Sequence, residues 1–214
     1  VSDLFASAAV GGSSMLGPQA RVLHGFALQA APALLHGIAQ IAAQAPFRRL
    51  STPGGRRIQV EMTNCGRYGW YSDRRGYRYE AIDPDSGRAW PAMPDDFLQL
   101  AVAAAAAAGF PGYRPDACLI NRYRPGAGMG LHQDRDEEDT RAPIVSVSLG
   151  LPAVFLFGGM TRGEPTVRVP LAHGDVAVWG GVDRMRFHGV RPLAPGHDPA
   201  TGDFRLNLTF RKVR

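Results

Sequence analysis

Apolar residues recur along this chain with two different periods. Leu34, Leu35, Ile38, Ile41 and Ala42 repeat at three-to-four spacing, which predicts an amphipathic helix over residues 30–44. Pro32 falls in its first turn, where a missing N–H costs little. A second helix is expected over 95–108. Asp95 and Asp96 suit its N-terminus, Gly109 suits its C-terminal cap, and Pro111 blocks continuation. From 117 onward the period becomes two. "ACLINRYR", "PIVSVSLG", "AVFLFG", "DVAVWG", "MRFHGV" and "FRLNLTFRK" are short runs separated by Gly and Pro. This spacing predicts a mainly β fold, a sandwich or jelly roll, with the helices covering one outer face. Residues 51–94 are rich in Gly, Pro, Arg and aromatics. They read as short strands and long loops, a recognition surface. Residues 1–22 read as loop, with "GGSS" its most flexible part, and no internal repeat is found.

The 214 residues fit one domain, and 45% apolar content supports a sizeable core. The longest apolar stretch, "LQLAVAAAAAAGF", is shorter than the ~18 residues of a membrane span. No basic segment followed by an apolar one marks export, so a cytoplasmic location is expected. Cys65 and Cys118 form neither a disulfide framework nor a zinc pattern. Both are expected as buried thiols in a reducing compartment. The net charge of +5 comes almost wholly from arginine, Lys212 being the only lysine. Arginine forks match phosphate and carboxylate, so the charge fits nucleic acid without requiring it.

Against this background the stretch "GLHQDRDE" (130–137) stands out. It reads either as a solvated charge run or as half of a metal site. On an extended segment, His132 and Asp134 share a face. His188 lies on another expected strand. Two imidazoles and one carboxylate on one side of a metal leave positions open for substrate and oxygen, as in non-haem Fe(II) oxygenases. His24, His36, His173 and His197 have no such partner at ligand spacing and are assigned structural or surface roles. In the last strand, Leu206, Leu208 and Phe210 point one way, while Arg205, Asn207, Thr209 and Arg211 point the other. The polar row is either an exposed strand surface or, inside a barrel, a carboxylate receptor. Leu119, Asn121 and Tyr123 likewise share a face. A non-catalytic nucleic-acid-binding barrel would need one of these sets broken, and both are complete. A cupin-like metal protein without the cosubstrate, and an oxygenase of protein or small molecules, stay open on this reading.

The chain also resembles a known family. "MTNCG", "GYRYEAIDP", "PDACLINRY", "LHQDRDE", "RAPIVSVSLGLPAVFLFGG", "HGDVAVWGG" and "RLNLTFR" are similar to stretches of the AlkB family of Fe(II)- and 2-oxoglutarate-dependent dioxygenases. The likeness runs from "DLFA" near the start to "NLTFR" near the end. It implies a double-stranded β-helix, a jelly-roll core over about 115–214, with a nucleotide-recognition lid over about 45–94, in one domain. It implies iron held by His132, Asp134 and His188. It implies 2-oxoglutarate anchored by Arg205 with Asn121, Tyr123, Asn207 and Arg211. It implies an alkylated base stacked between Trp70 and His132 beside Asp136, with Met62 in the same pocket. Thr52, Tyr77 and Arg162 are implied for the nucleic-acid backbone, and Arg135, Arg56 and Arg57 are added here on charge. The chain departs from the family pattern at Arg56, where an aromatic is usual, and at Gly128, where a lysine is. The implied activity is O2-dependent demethylation of 1-methyladenine and 3-methylcytosine in DNA, preferably single-stranded, and in RNA, by a monomer.

Overall fold

The computed structural model describes residues 11–214. Thirteen strands and two α-helices are found among them. Seven strands form the main sheet, in the order β1 (Ser13–Gly17), β2 (Ala20–Leu23), β11 (Val176–Trp179), β8 (Ile144–Gly150), β13 (Arg205–Arg211), β6 (Ala117–Tyr123) and β3 (Glu61–Gly66). Four form a minor sheet, in the order β10 (Val167–Leu171), β9 (Ala153–Phe157), β12 (His188–Val190) and β7 (Met129–His132). β4 (Gly69–Asp73) and β5 (Gly76–Glu80) make a separate hairpin. Every named pairing is antiparallel. Two facing antiparallel sheets with crossovers between them form a jelly roll, as expected.

The period of two sorts each strand of the main sheet between two cores. Leu206, Leu208 and Phe210 pack outward with Cys118, Ile120, Val145 and Val147. The same layer takes Leu34, Ile38 and Ile41 of α1 (Ala31–Gln44) and Phe97, Leu100 and Ala104 of α2 (Asp95–Ala107). The opposite positions face the minor sheet, where Leu119, Tyr123, Ile144 and Trp179 meet Phe155, Phe157, Val169 and Leu171. Each fully buried Leu or Phe contributes about 1.5–3 kcal/mol from its apolar surface. The alanine run of α2 has a packing reason: Ala101, Ala104 and Ala105 are completely buried. Gly37 has another, since a Cβ there would come 2.7 Å from the Phe97 ring.

One expectation is corrected. Residues 13–17 and 20–22 are strand, not loop. β1 and β2 form a hairpin, and β2 pairs with β11 through Ala20–Leu23. The run is too short and its first strand too exposed to show alternation, and the burial comes from β11. Residues 1–10 of that expected loop, with "DLFA", lie outside the described residues. β3 pairs along its length with β6 and closes one edge of the main sheet. Cys65 and Cys118 face each other across that pairing as buried free thiols.

Candidate active site

β7 and β12 pair with His132 directly opposite His188. The strands run close, since a Cβ at Gly189 would sit 2.7 Å from the Met129 carbonyl. The two imidazoles therefore stand on one face, their ring centroids 4.4 Å apart. Asp134 follows two residues past the end of β7. Its Oδ1 lies 3.7 Å from His132 Nε2 and its Oδ2 lies 3.7 Å from His188 Nε2. All three donor atoms lie within 4.8 Å of one another. These gaps are too wide for hydrogen bonds. The two 3.7 Å distances fall within the ~4 Å that two ligands can span when each sits about 2.1 Å from one ion.

The protonation states suit a metal. His132 Nδ1 is 2.9 Å from the Gly130 carbonyl and His188 Nδ1 is 3.0 Å from that of Arg186. Each Nδ1–H donates to its carbonyl, which leaves the Nε2 lone pair for the ion. Burial, and then the neighbouring His132, pulls His188 down to about 3 against the pull of Asp134, so it is neutral. Burial alone would raise the Asp134 carboxyl. Arg211, through its charge and its hydrogen bonds, outweighs it and holds Asp134 well below the usual carboxylate range. Arg211 Nε and Nη2 both donate to Asp134 Oδ2, at 3.0 and 2.8 Å. Arg211 thus faces the cavity, but its fork is taken by the carboxylate.

Deeper in the barrel, Arg205 is 1% exposed. Its Nη2 donates to Ser148 Oγ at 2.9 Å. Its guanidinium lies 5.0 Å from the Tyr123 ring centroid. Nε and Nη1 have no partner among the described residues, and burial lowers its pKa. A buried guanidinium with two unused donors is costly unless an anion meets it. The distal carboxylate of a keto-diacid fits, being planar and bidentate. Asn121 Nδ2 donates to Asn207 Oδ1 at 3.4 Å, while Asn121 Oδ1 is unpartnered among the described residues. Asn207 Nδ2 is held by Ser146 Oγ and the Val147 carbonyl. The inward face of β8 therefore adds Ser146 and Ser148 to this buried polar cluster. Sequence reasoning passed over both, although serine at alternate positions of an apolar strand was a usable sign.

His132, Asp134 and His188 share one cavity of about 970 Å³ with Arg205, Asn121 and Asn207. Met62, Trp70, Tyr77, Asp136, Thr52 and Arg162 line it too. Trp70 stacks on Tyr77, with centroids 5.6 Å apart and planes 17° apart. Its Nε1 donates to Asp136 Oδ2 at 3.0 Å. The Asn64 side chain clamps its backbone, accepting from Trp70 N at 3.0 Å and donating to Trp70 O at 3.1 Å. Arg56, Arg57, Arg135 and Arg162 stand exposed at the rim. Thr52 starts the turn that carries Arg56, its Oγ1 accepting from Arg56 N. Glu137 and Arg184 were missed altogether. Both are buried and paired at 2.9 Å, and nothing in an acidic run distinguishes one buried glutamate. The remaining histidines stay away from the metal cluster. His24 and His197 do have acidic neighbours, Asp175 and Asp203, which spacing did not show.

Comparison with known proteins agrees with this geometry. Residues 19–211 match the model of the 2OG-Fe(II) oxygenase superfamily. The chain is 54% identical over 211 residues to the alpha-ketoglutarate-dependent dioxygenase AlkB of Escherichia coli, covering 99% of this chain and 97% of that one. It is 44% identical over 110 residues to the DNA N(6)-methyladenine demethylase ALKBH1D of Arabidopsis thaliana, covering 45% of this chain and 24% of that one. The solved structure of OsALKBH1 superposes with a TM-score of 0.84 at 28% identity, covering 94% of this chain and all of that one. The chain belongs to the 2OG-Fe(II) oxygenase superfamily, in its AlkB branch, and is a dioxygenase that works with Fe(II), 2-oxoglutarate and O2.

Proposed function

We propose that this dioxygenase repairs DNA by removing methyl groups from ring nitrogens of damaged bases, 1-methyladenine and 3-methylcytosine first among them. Single strands are its preferred substrate, RNA a second one, and it acts as a cytoplasmic monomer. The observation that carries this is one cavity that joins three things: the metal donors, the unneutralised Arg205, and an aromatic plane beside an acid. No helix among the described residues is long and apolar enough to cross a membrane.

The chemistry demands such a site. An N-methyl group on a base has strong C–H bonds and no easy hydrolytic route. Bound Fe(II), with 2-oxoglutarate and O2, supplies oxidation of that methyl carbon, giving formaldehyde, succinate and CO2. The chain's own residues do the rest. His132, Asp134 and His188 hold the ion, and Arg205 fixes the far end of the cosubstrate. Methylation at N1 of adenine or N3 of cytosine blocks pairing and makes the base cationic. Extruding such a base is easier than extruding a paired one, by up to a few kcal/mol. Trp70 offers the stacking plane, worth about 1–3 kcal/mol per base. Asp136, bonded to the Trp70 indole, sets a negative charge beside that plane. The rim arginines meet the phosphates.

The test is formaldehyde release from a single-stranded oligonucleotide carrying 1-methyladenine or 3-methylcytosine. Release is expected with 2-oxoglutarate and O2, not without either, and not from His132→Ala. An RNA version of the same oligonucleotide measures the second substrate. No formaldehyde from any methylated strand, with 2-oxoglutarate still consumed, would transfer the activity to another substrate class.

A further inference from the structure

One chain of hydrogen-bonded side chains runs from the half-buried Tyr79 of the β4–β5 hairpin to the metal centre. Tyr79 Oη donates to Glu137 Oε1 at 2.6 Å. Glu137 Oε2 accepts from Arg184 Nη2 at 2.9 Å. Arg211 Nε lies 3.3 Å from Glu137 Oε1 and also serves Asp134. Arg184 Nη1 donates to the Asp134 carbonyl at 2.6 Å. Glu137, Arg184, Arg211 and Asp134 are all buried. Two carboxylates and two guanidiniums leave the cluster neutral, which makes its burial tolerable. Among the described residues no hydrogen bond ties Glu137 or Arg184 to the Arg205 receptor, so that receptor does not account for them.

At its other end the cluster meets the base pocket. Tyr79 stands directly opposite Trp70 in the hairpin register, so both side chains project from the same face. Trp70 in turn holds Asp136. Three of four consecutive positions are thus gripped from different sides. Asp134 belongs to the metal centre, Asp136 to Trp70, and Glu137 to Tyr79 and Arg184. Trp70 lies on β4 and Tyr79 on β5, and the two strands pair along the hairpin.

We propose that Tyr79 and Glu137 are positioning residues that couple occupation of the base pocket to the placement of Asp134 at the metal. This rests on the reading of His132, Asp134 and His188 as the metal ligands. A base seated against Trp70 shifts Tyr79, and the shift reaches Asp134 through Glu137 and Arg211. The cluster then makes oxidation conditional on a seated base and limits idle consumption of 2-oxoglutarate.

The test uses the full chain loaded with Fe(II) and 2-oxoglutarate in the absence of oxygen. The visible charge-transfer band of the bound metal is recorded before and after adding a 1-methyladenine oligonucleotide. In the unaltered chain the band is expected to shift on addition. Tyr79→Phe keeps the ring and removes only the hydroxyl. It is expected to show the same starting band with the shift abolished. The ratio of 2-oxoglutarate consumed to formaldehyde released is expected to rise about tenfold, within the usual range for coupled sites. The KM for the oligonucleotide should stay nearly unchanged. Glu137→Asp, which keeps the charge, should restore part of the shift relative to Glu137→Gln. A purely structural role would change Tm and metal affinity without touching the base-induced shift. An undiminished shift in Tyr79→Phe, or no shift in the unaltered chain, overturns the coupling. Absence of any band at all instead overturns the metal-site reading beneath it.

Discussion

Arg205 gives Ser148 a single hydrogen bond, at 2.9 Å, and keeps two buried donors without a protein acceptor among the described residues. The bond fixes one end of the guanidinium, and Arg205 lines the cavity. Arg205→Lys retains the charge and removes the fork. A hydrogen bond to a charged group is worth about 1.5–3 kcal/mol, so affinity for 2-oxoglutarate should fall about 10- to 100-fold. Calorimetry of 2-oxoglutarate binding to the Mn(II)-loaded chain measures this. Unchanged affinity would remove Arg205 from the receptor.

Trp70 stands between the hairpin and the acid loop, stacked on Tyr77 and bonded to Asp136. Trp70→Ala should raise the Kd for a methylated oligonucleotide about 5- to 100-fold, the worth of one base stack. The slow idle turnover of 2-oxoglutarate without a base should be retained, because no metal donor is touched. Fluorescence anisotropy and a succinate assay separate the two effects.

Arg56 and Arg57 sit exposed beside the Thr52 turn. Replacing both by alanine should weaken single-strand binding regardless of sequence. The slope of log K against log salt should flatten by about 0.7 for each phosphate that is no longer neutralised. A slope equal to that of the unaltered chain places the backbone elsewhere.

Asp83 anchors the segment before α2. It accepts two hydrogen bonds from Arg48, at 2.8 and 2.7 Å, and one from Ser86. Arg48 also reaches Asp85, which takes the Tyr71 hydroxyl. Burial would raise the Asp83 carboxyl, but Arg48, the Asp85 N–H and Ser86 together lower it below 3.8. A depressed carboxyl stabilises the fold fully above its unfolded value. It loses that contribution as pH falls through the folded value. Asp83→Asn should therefore cost about 1–3 kcal/mol at neutral pH. The difference from the unaltered chain should shrink as acid is added below pH 3.8. Denaturant unfolding at several pH values checks the convergence.

The helix α2 was legible because several residues repeat one message. Asp95, Asp96 and Gly109 bracket a helix found at Asp95–Ala107. β13 was legible for the same reason, because Leu206 to Arg211 alternate without a break; which way the polar row faced was not, and it is buried. The metal donors were readable because two of them lie on one short segment and the third on another alternating strand. β7 was not readable as a strand, since "MGLH" carries no alternation and owes its pairing to β12. Glu137 could not be told from Asp136 or Glu138. Its burial comes from Arg184 and Tyr79, which are remote in sequence. Tertiary partners decide such residues, and local pattern does not contain them.

β7 is the outermost strand of the minor sheet, hydrogen-bonded on one side alone, and it carries His132. Short border strands fray before the rest of a domain opens. The residence time of the iron should then follow the fraying of four residues. Two variants that melt at the same temperature could release the ion at very different rates, and heat resistance would be a poor guide to how long the enzyme stays charged.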